Sequence, residues 1–118
     1  KMFRLAVFNV MAHNRDDHAK NFSFLMDEFG EWKLSPAYDL TFSNGPGGEQ
    51  STMVMGEGRN ITKKHLEKLG LEAKLSKELI NEVIRKTGNS LNNWKMLAKV
   101  YGVDKGNVDL IESRIRIY

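Results

Sequence analysis

The apolar residues of the chain follow three different patterns along its length. From Phe3 to Ala12 nearly every residue is apolar, which predicts a buried helix or a buried strand, because periodicity cannot separate the two. Residues 21–34 alternate between two faces and are interrupted by Gly30, which predicts a β-hairpin with Gly30 at a positive φ. From residue 61 onward the apolar residues recur with helical spacing.

The region after residue 61 predicts four amphipathic helices. Serine and threonine suit the residue before a helix because their oxygens accept free N–H groups, and glycine suits the residue after it. On this rule three helices start after Thr62, Ser76 and Ser90, end at Gly70, Gly88 and Gly102, and are followed by a fourth from about Asn107. The third helix is expected to turn Trp94, Leu97 and Tyr101 inward. These apolar stripes are typical of ordinary core.

These elements predict a mainly α fold, an α+β domain with one small hairpin, in a single domain over residues 1–118. It divides into residues 1–43, a glycine-rich connection at 44–60 and a helical region at 61–118. A further short strand is expected at 52–55. The connection carries neither of the glycine motifs that bind phosphates, so we interpret it as a mobile link rather than a phosphate cradle.

Composition excludes several classes of site. The chain has no cysteine, which excludes disulfides, zinc ribbons, iron–sulfur sites and thiol nucleophiles. No apolar run approaches the roughly 20 residues of a membrane span, and a cytoplasmic protein is expected. Residues 1–58 hold 5 Lys/Arg against 8 Asp/Glu, a charge of −3, and residues 59–118 hold 13 against 7, a charge of +6. The basic half indicates either solvated helix faces or a surface that docks an anionic partner.

Groups that bind metals or transfer protons are concentrated in residues 13–21, between the first helix and the hairpin. The expected hairpin register places Asn21 opposite Tyr38, next to Asp39. The open end of the hairpin would therefore gather Asp16, Asn21 and Asp39. Two carboxylates and an amide oxygen are hard ligands that suit Mg²⁺.

The spacing within this loop matches that of a protein-kinase catalytic loop. Arg15 and Asp16, followed by four residues and Asn21, reproduce the R-D-x-x-x-x-N spacing, and a hairpin then leads to Asp39. In that chemistry the first aspartate accepts the proton of the substrate hydroxyl. The asparagine and the later aspartate hold metal ions that neutralise charge on the transferred phosphoryl group.

Two longer strings give a family resemblance. Residues 14–23 (N-x-D-x-H-x-K-N-F-S) and 34–40 (L-S-P-A-Y-D-L) resemble the HipA family, bacterial serine/threonine kinases known as toxins of toxin–antitoxin pairs. The resemblance is close over residues 5–43 and looser over the helical remainder. It implies that the fold is the C-terminal lobe of a kinase-like protein.

The resemblance also implies roles for individual residues. Asp16 would be the catalytic base, and Asn21 and Asp39 would be the ligands of Mg²⁺ and hence of ATP. Lys20 would contact the γ-phosphate or the substrate oxygen, and His18 would orient the loop. Leu40 and Thr41 stand where ordinary kinases have Phe-Gly, so the phenylalanine switch of those kinases is not expected here.

The same resemblance implies a substrate, partners and a further lobe. It implies transfer of the ATP γ-phosphate to a protein Ser or Thr, with a target such as an aminoacyl-tRNA synthetase, and a role in persistence. It also implies a HipB-like antitoxin, through which the complex would bind DNA. Before Phe3 nothing could supply a glycine-rich cover or a strand lysine, so we expect an inactive fragment without its N-terminal lobe, with an apolar face left bare.

Other interpretations stay open on the residues alone. A metal-dependent phosphohydrolase would use Asp16, Asp39 and Asp17, although Asp17 also fits a solvated acid. A zinc site of His13, Asp17 and His18 is possible on ligand type.

A third class is a non-enzymatic module whose basic helices dock DNA or an acidic partner. Its binding would weaken with salt and on neutralising Lys63, Lys64, Arg85 and Lys86.

Overall fold

A computed structural model describes all residues 1–118 and confirms the α+β class. Its helices and strands in chain order are α1 Met2–Met11, β1 Phe24–Met26, β2 Trp32–Leu34, α2 Lys63–Glu72, α3 Lys77–Leu91, α4 Trp94–Val100 and α5 Lys105–Arg114. Two short 3₁₀ turns lie at Ala19–Asn21 and Pro46–Gly48. None of the helices combines the length and apolar character needed to cross a membrane.

The first apolar run is a helix and forms the centre of the core. Helix α1 packs against both α2 and α3. The buried core side chains are Phe3, Val7, Val10, Met11, Val54, Ile61, Leu66, Ile80, Val83 and Ile84. Because α1 contributes four of these residues and ends at Met11, the polar loop that follows starts from a fixed point.

Two of the predicted helix ends are wrong, because each helix continues through the glycine expected to end it. Helix α2 continues through Gly70 to Glu72, and α3 continues through Gly88 to Leu91. A Cβ added at Gly70 would lie 2.5 Å from Cγ1 of Ile80, so this glycine allows two helices to approach closely. The predicted caps Thr62 and Ser76 are confirmed as the residues before α2 and α3.

The third predicted helix is wrong in its start and in its inward face. Ser90 lies inside α3, where its hydroxyl donates to the carbonyl of Lys86 at 3.0 Å instead of capping a new helix. Helix α4 begins at Trp94, and Ala98 is its buried residue. Leu97 and Tyr101 are exposed, not inward-facing. The last helix, α5, begins slightly earlier than expected, after its cap Asp104.

The hairpin is confirmed, but its register differs by one residue from the expected one. The pairs are Phe24 with Leu34, Leu25 with Lys33 and Met26 with Trp32.

Continued to the open end, this register would set Asn21 opposite Ala37 rather than Tyr38. The ladder stops before that point, and Asn21 lies in a 3₁₀ turn. Gly30 has the predicted positive φ, 79°. The further strand expected at 52–55 is only an isolated bridge between Val54 and Glu57.

The large apolar side chains of the hairpin face solvent on both sides of the sheet. Phe24, Leu25, Met26 and Trp32 are each more than half exposed, and Phe29 at the turn is 83% exposed. The hairpin therefore adds nothing to the buried core and presents an apolar surface, which we call the hairpin patch.

Candidate active site

The loop of residues 13–21 begins with a histidine that is structural. His13 has a φ of 59°, and its ring stacks on Phe42 with the ring centroids 5.2 Å apart. Its Nε2 lies 3.2 Å from Oδ1 of Asn44. Burial, together with the nearby positive charge of Arg15, lowers the pKa of His13, so the neutral ring is favoured. His13 is thus committed to holding the start of the loop.

The chain that follows Asp39 returns to this same point. The N–H of Arg15 donates to the carbonyl of Ser43 at 3.0 Å, and the N–H of Ser43 donates to the carbonyl of His13 at 3.0 Å. This short parallel pairing fixes the chain on the far side of Asp39 against the beginning of the loop.

Asp16, the predicted base, has a carboxylate without a hydrogen bond and a backbone carbonyl that accepts one. Its side chain is 43% exposed, and Oδ2 lies 4.0 Å from Nε2 of His18. The Nδ2 of Asn21 donates to the carbonyl oxygen of Asp16 at 3.0 Å. The structure therefore brings Asp16, His18 and Asn21 together, and the Asn21 contact leaves the Asp16 carboxylate available.

Asp39 is tied to the loop through the residue before it. The hydroxyl of Tyr38 donates to the carbonyl of Lys20 at 2.8 Å and lies 2.7 Å from the hydroxyl of Ser23. Asp39 itself is exposed, has a φ of 52°, and its carboxylate has no partner within the chain. The Nζ of Lys20 is likewise free of hydrogen bonds and ion pairs in an exposed side chain.

Asp17 is not a solvated acid, and that prediction is wrong. The residue is only 4% exposed, and its Oδ1 accepts a hydrogen bond from the N–H of Thr52 at 2.9 Å. Asp17 is therefore not available as a metal ligand, either for the phosphohydrolase or for the zinc site. The zinc alternative fails as well, because no group of three His, Asp or Glu side chains is arranged to hold a metal ion.

Sequence reasoning missed the glycine-rich connection as part of the site. The guanidinium of Arg15 donates to the carbonyls of Gly48 and Arg59, so the segment at 44–60 is attached to the loop rather than loose. Burial and the positive charges of Arg116 and Arg114 lower the pKa of Arg15. The polar residues interspersed in the connection are the sequence signal that could have indicated its attachment.

Comparison with known proteins gives the family of this chain. The family described as the HipA-like C-terminal domain matches residues 1–94. The chain belongs to this family. It is also 37% identical over 62 residues to a protein of Sinorhizobium fredii named "Putative kinase Y4mE". That match covers 52% of this chain and 14% of the relative, so the chain spans a small part of the relative's length.

In this HipA-like domain, Asn21 of the loop and Asp39 after the hairpin have oxygens suited to a divalent cation. Since Nδ2 of Asn21 is engaged by Asp16, the Oδ1 of Asn21 is left unpaired, as is the carboxylate of Asp39. Mg²⁺ is commonly bound by one or two protein oxygens, with water and phosphate completing its octahedron. The donor set of the HipA-like domain therefore fits Mg²⁺.

The basic half of the HipA-like domain is partly neutralised. Two of the four lysines and arginines named for anion binding form ion pairs one helical turn away, Lys63 with Glu67 and Lys86 with Glu82. Such pairs are typical of solvated helix faces.

Proposed function

We propose that this domain is the C-terminal lobe of a HipA-like serine/threonine kinase that transfers the ATP γ-phosphate to a protein hydroxyl. The observation that carries this proposal is the hydrogen bond from Asn21 to the carbonyl of Asp16. One side chain thereby fixes the backbone of the base and keeps an oxygen for a cation. Membership of the HipA-like family and the similarity to a protein named as a kinase support it.

Each residue of the site has a separate role in the proposed reaction. Asp16 accepts the proton of the substrate hydroxyl. The hydroxyl oxygen then bonds to the γ-phosphorus of ATP as the bond to the leaving ADP breaks. His18, whose Nε2 lies 4.0 Å from the Asp16 carboxylate, orients the loop, and the free ammonium of Lys20 contacts the γ-phosphate or the substrate oxygen. Asn21 and Asp39 would hold Mg²⁺, which when bound neutralises charge on the transferred group.

The ATP-binding cover of such a kinase is expected outside residues 1–118. These residues contain no glycine-rich phosphate motif. The relative is several times longer than the segment matched to it, which leaves room for such a lobe. We therefore expect the 118-residue chain alone to bind ATP weakly and to turn over negligibly.

The biological setting belongs to the same proposal. A translation-related target such as an aminoacyl-tRNA synthetase, a HipB-like antitoxin, binding to DNA through that antitoxin, and a cytoplasmic location stay predictions. The phosphohydrolase alternative is weaker because Asp17, one of its three carboxylates, is buried and bonded to Thr52.

The test is phosphoryl transfer by the complete protein that carries this domain. Labelled ATP and a pool of protein acceptors are mixed with the wild type, with Asp16→Asn, and with Asp109→Asn, an exposed aspartate of α5 that serves as the control. We expect Asp16→Asn to lose transfer by at least about 100-fold, as for loss of a general base, and the control to retain it. Unchanged transfer in Asp16→Asn, or phosphate release without any acceptor, would reject the proposal.

A further inference from the structure

Two residues of the glycine-rich connection hold the backbone just before Asp16. The Nε2 of Gln50 donates to the carbonyl of Asn14 at 2.7 Å. Both the N–H and the hydroxyl of Ser51 donate to the carbonyl of Arg15, at 3.0 and 2.9 Å. The carbonyls of two successive loop residues are thus fixed by two successive residues that lie 36 positions later in the chain.

The next residue of the connection holds the backbone just after Asp16. The hydroxyl of Thr52 donates to the carbonyl of Asp17 at 2.6 Å, while its N–H donates to the carboxylate of the same residue at 2.9 Å. Asn21 holds the carbonyl of Asp16 itself at 3.0 Å. Every carbonyl from residue 14 to residue 17 therefore accepts a side-chain hydrogen bond.

Burial protects part of these contacts: the Gln50 bond is buried, those of Thr52 are partly buried and the Ser51 hydroxyl bond is exposed. Asn14, Asp17 and Gln50 are 3–4% exposed, so water is a poor substitute for a lost partner there. The connection is itself fixed, because the N–H of Gln50 donates to the carbonyl of Gly58 at 2.7 Å. The backbone on both sides of Asp16 is thus hydrogen-bonded to the connection, while the Asp16 side chain itself is 43% exposed.

We propose that Gln50, Ser51 and Thr52 are positioning residues for Asp16, and we name their hydrogen bonds to the loop the carbonyl clamp. This inference rests on the proposed kinase function. A peptide plane that loses its donor can turn. The plane held by Ser51 leads directly into Asp16, and the plane held by Thr52 follows Asp17, so turning either one shifts the backbone around Asp16 and moves the carboxylate away from the acceptor hydroxyl. A displacement of about 1 Å is enough to lower a rate by up to roughly 100-fold.

The first arm of the test measures whether the clamp holds the loop in the 118-residue chain. Thr52→Val removes the hydroxyl with little change in shape, and Thr52→Ser keeps it; Thr52 is exposed, so neither variant disturbs the core. We expect amide hydrogen exchange in residues 13–22 to accelerate roughly fivefold in Thr52→Val and to stay near wild type in Thr52→Ser. Equal exchange in all three proteins would overturn the clamp.

The second arm measures whether holding the loop matters for the reaction of the complete protein. We expect kcat to fall about tenfold in Thr52→Val, with the KM for ATP within about twofold, and Thr52→Ser to restore kcat. A wild-type kcat in Thr52→Val, or an equal loss in both variants, contradicts a positioning role. A wild type that transfers no phosphate rejects the kinase proposal, and faster exchange in Thr52→Val would then leave the clamp purely structural.

Discussion

The hydroxyl of Tyr38 donates a hydrogen bond to the carbonyl oxygen of Lys20 at 2.8 Å. Each of these residues immediately precedes one of the two proposed metal ligands, Asp39 and Asn21. The bond therefore joins the segment after the hairpin to the segment before it, at the place where the strand ladder has already ended. This side-chain bond connects the two segments where strand pairing was expected to connect them.

The first prediction concerns this bond. Tyr38→Phe keeps the ring and removes the donor, so Asp39 is held less firmly relative to Asn21. We expect the Mn²⁺ affinity of the 118-residue chain, measured by electron paramagnetic resonance titration, to fall by roughly two- to tenfold. Tyr101→Phe is the matched control, because the Tyr101 side chain is 81% exposed and its hydroxyl has no partner. Equal affinities in the wild type and Tyr38→Phe would show that the tether does not position the ligands.

The second prediction compares two helical glycines. Gly70→Ala places a methyl group 2.5 Å from Cγ1 of buried Ile80 and should destabilise the fold by about 1–3 kcal/mol. Gly88→Ala meets Ile117 and Met11 only at ordinary contact distances, 3.4 and 3.5 Å, and should gain up to about 1 kcal/mol from helix propensity. Urea unfolding measures both free energies. An unchanged or increased free energy of unfolding in Gly70→Ala would contradict the packing described for the α2–α3 contact.

The third prediction is a pH dependence that comes from His13. Burial and neighbouring arginines lower its pKa below the ordinary value of 6.5 in the folded chain. As the pH falls through 6.5 the unfolded chain takes up a proton that the folded chain resists, so the free energy of unfolding decreases until the folded-state pKa is reached.

Urea unfolding between pH 7.5 and 5.5 measures this slope. His13→Asn is the comparison, because asparagine tolerates the positive φ and does not titrate. We expect a shallower slope in the variant, and identical slopes would exclude His13 as the source.

The fourth prediction concerns the hairpin patch. Trp32→Thr removes an exposed aromatic side chain from the patch while keeping a residue that favours strands. We expect the fluorescence of the dye ANS bound to the chain to fall, with the free energy of unfolding changed by less than about 0.5 kcal/mol. Tyr101→Thr removes an exposed aromatic side chain from the residue that follows α4 and should leave the dye signal unchanged. A similar loss in both variants would argue against a distinct patch.

The parts of the site that lie close together in sequence were predictable. The loop of residues 13–21 carries its chemistry in one stretch, and the contact from Asn21 to Asp16 spans only five residues. Gly30 marked the hairpin turn because only a positive φ closes it. The caps Thr62 and Ser76 were readable because an N-cap depends on a side chain and the first helical turn alone.

The remaining features depend on contacts between distant residues. Nothing near Asp17 indicates that a threonine 35 residues later will bury and bond its carboxylate. Gly70 has the appearance of a helix end until Ile80 is seen against it. Ser90 is an acceptable cap on its own sequence, but its hydroxyl donates to the carbonyl of Lys86 within α3, and α4 begins later, at Trp94.

Asp39 adopts a backbone geometry that glycine would occupy without strain, with a φ of 52°. Aspartate tolerates this region better than most residues, yet still at some conformational penalty. A glycine here would therefore relieve backbone strain in the folded chain and would remove the carboxylate. Stability and the proposed chemistry therefore conflict at this position: selection for heat resistance alone would favour glycine and remove the proposed metal ligand.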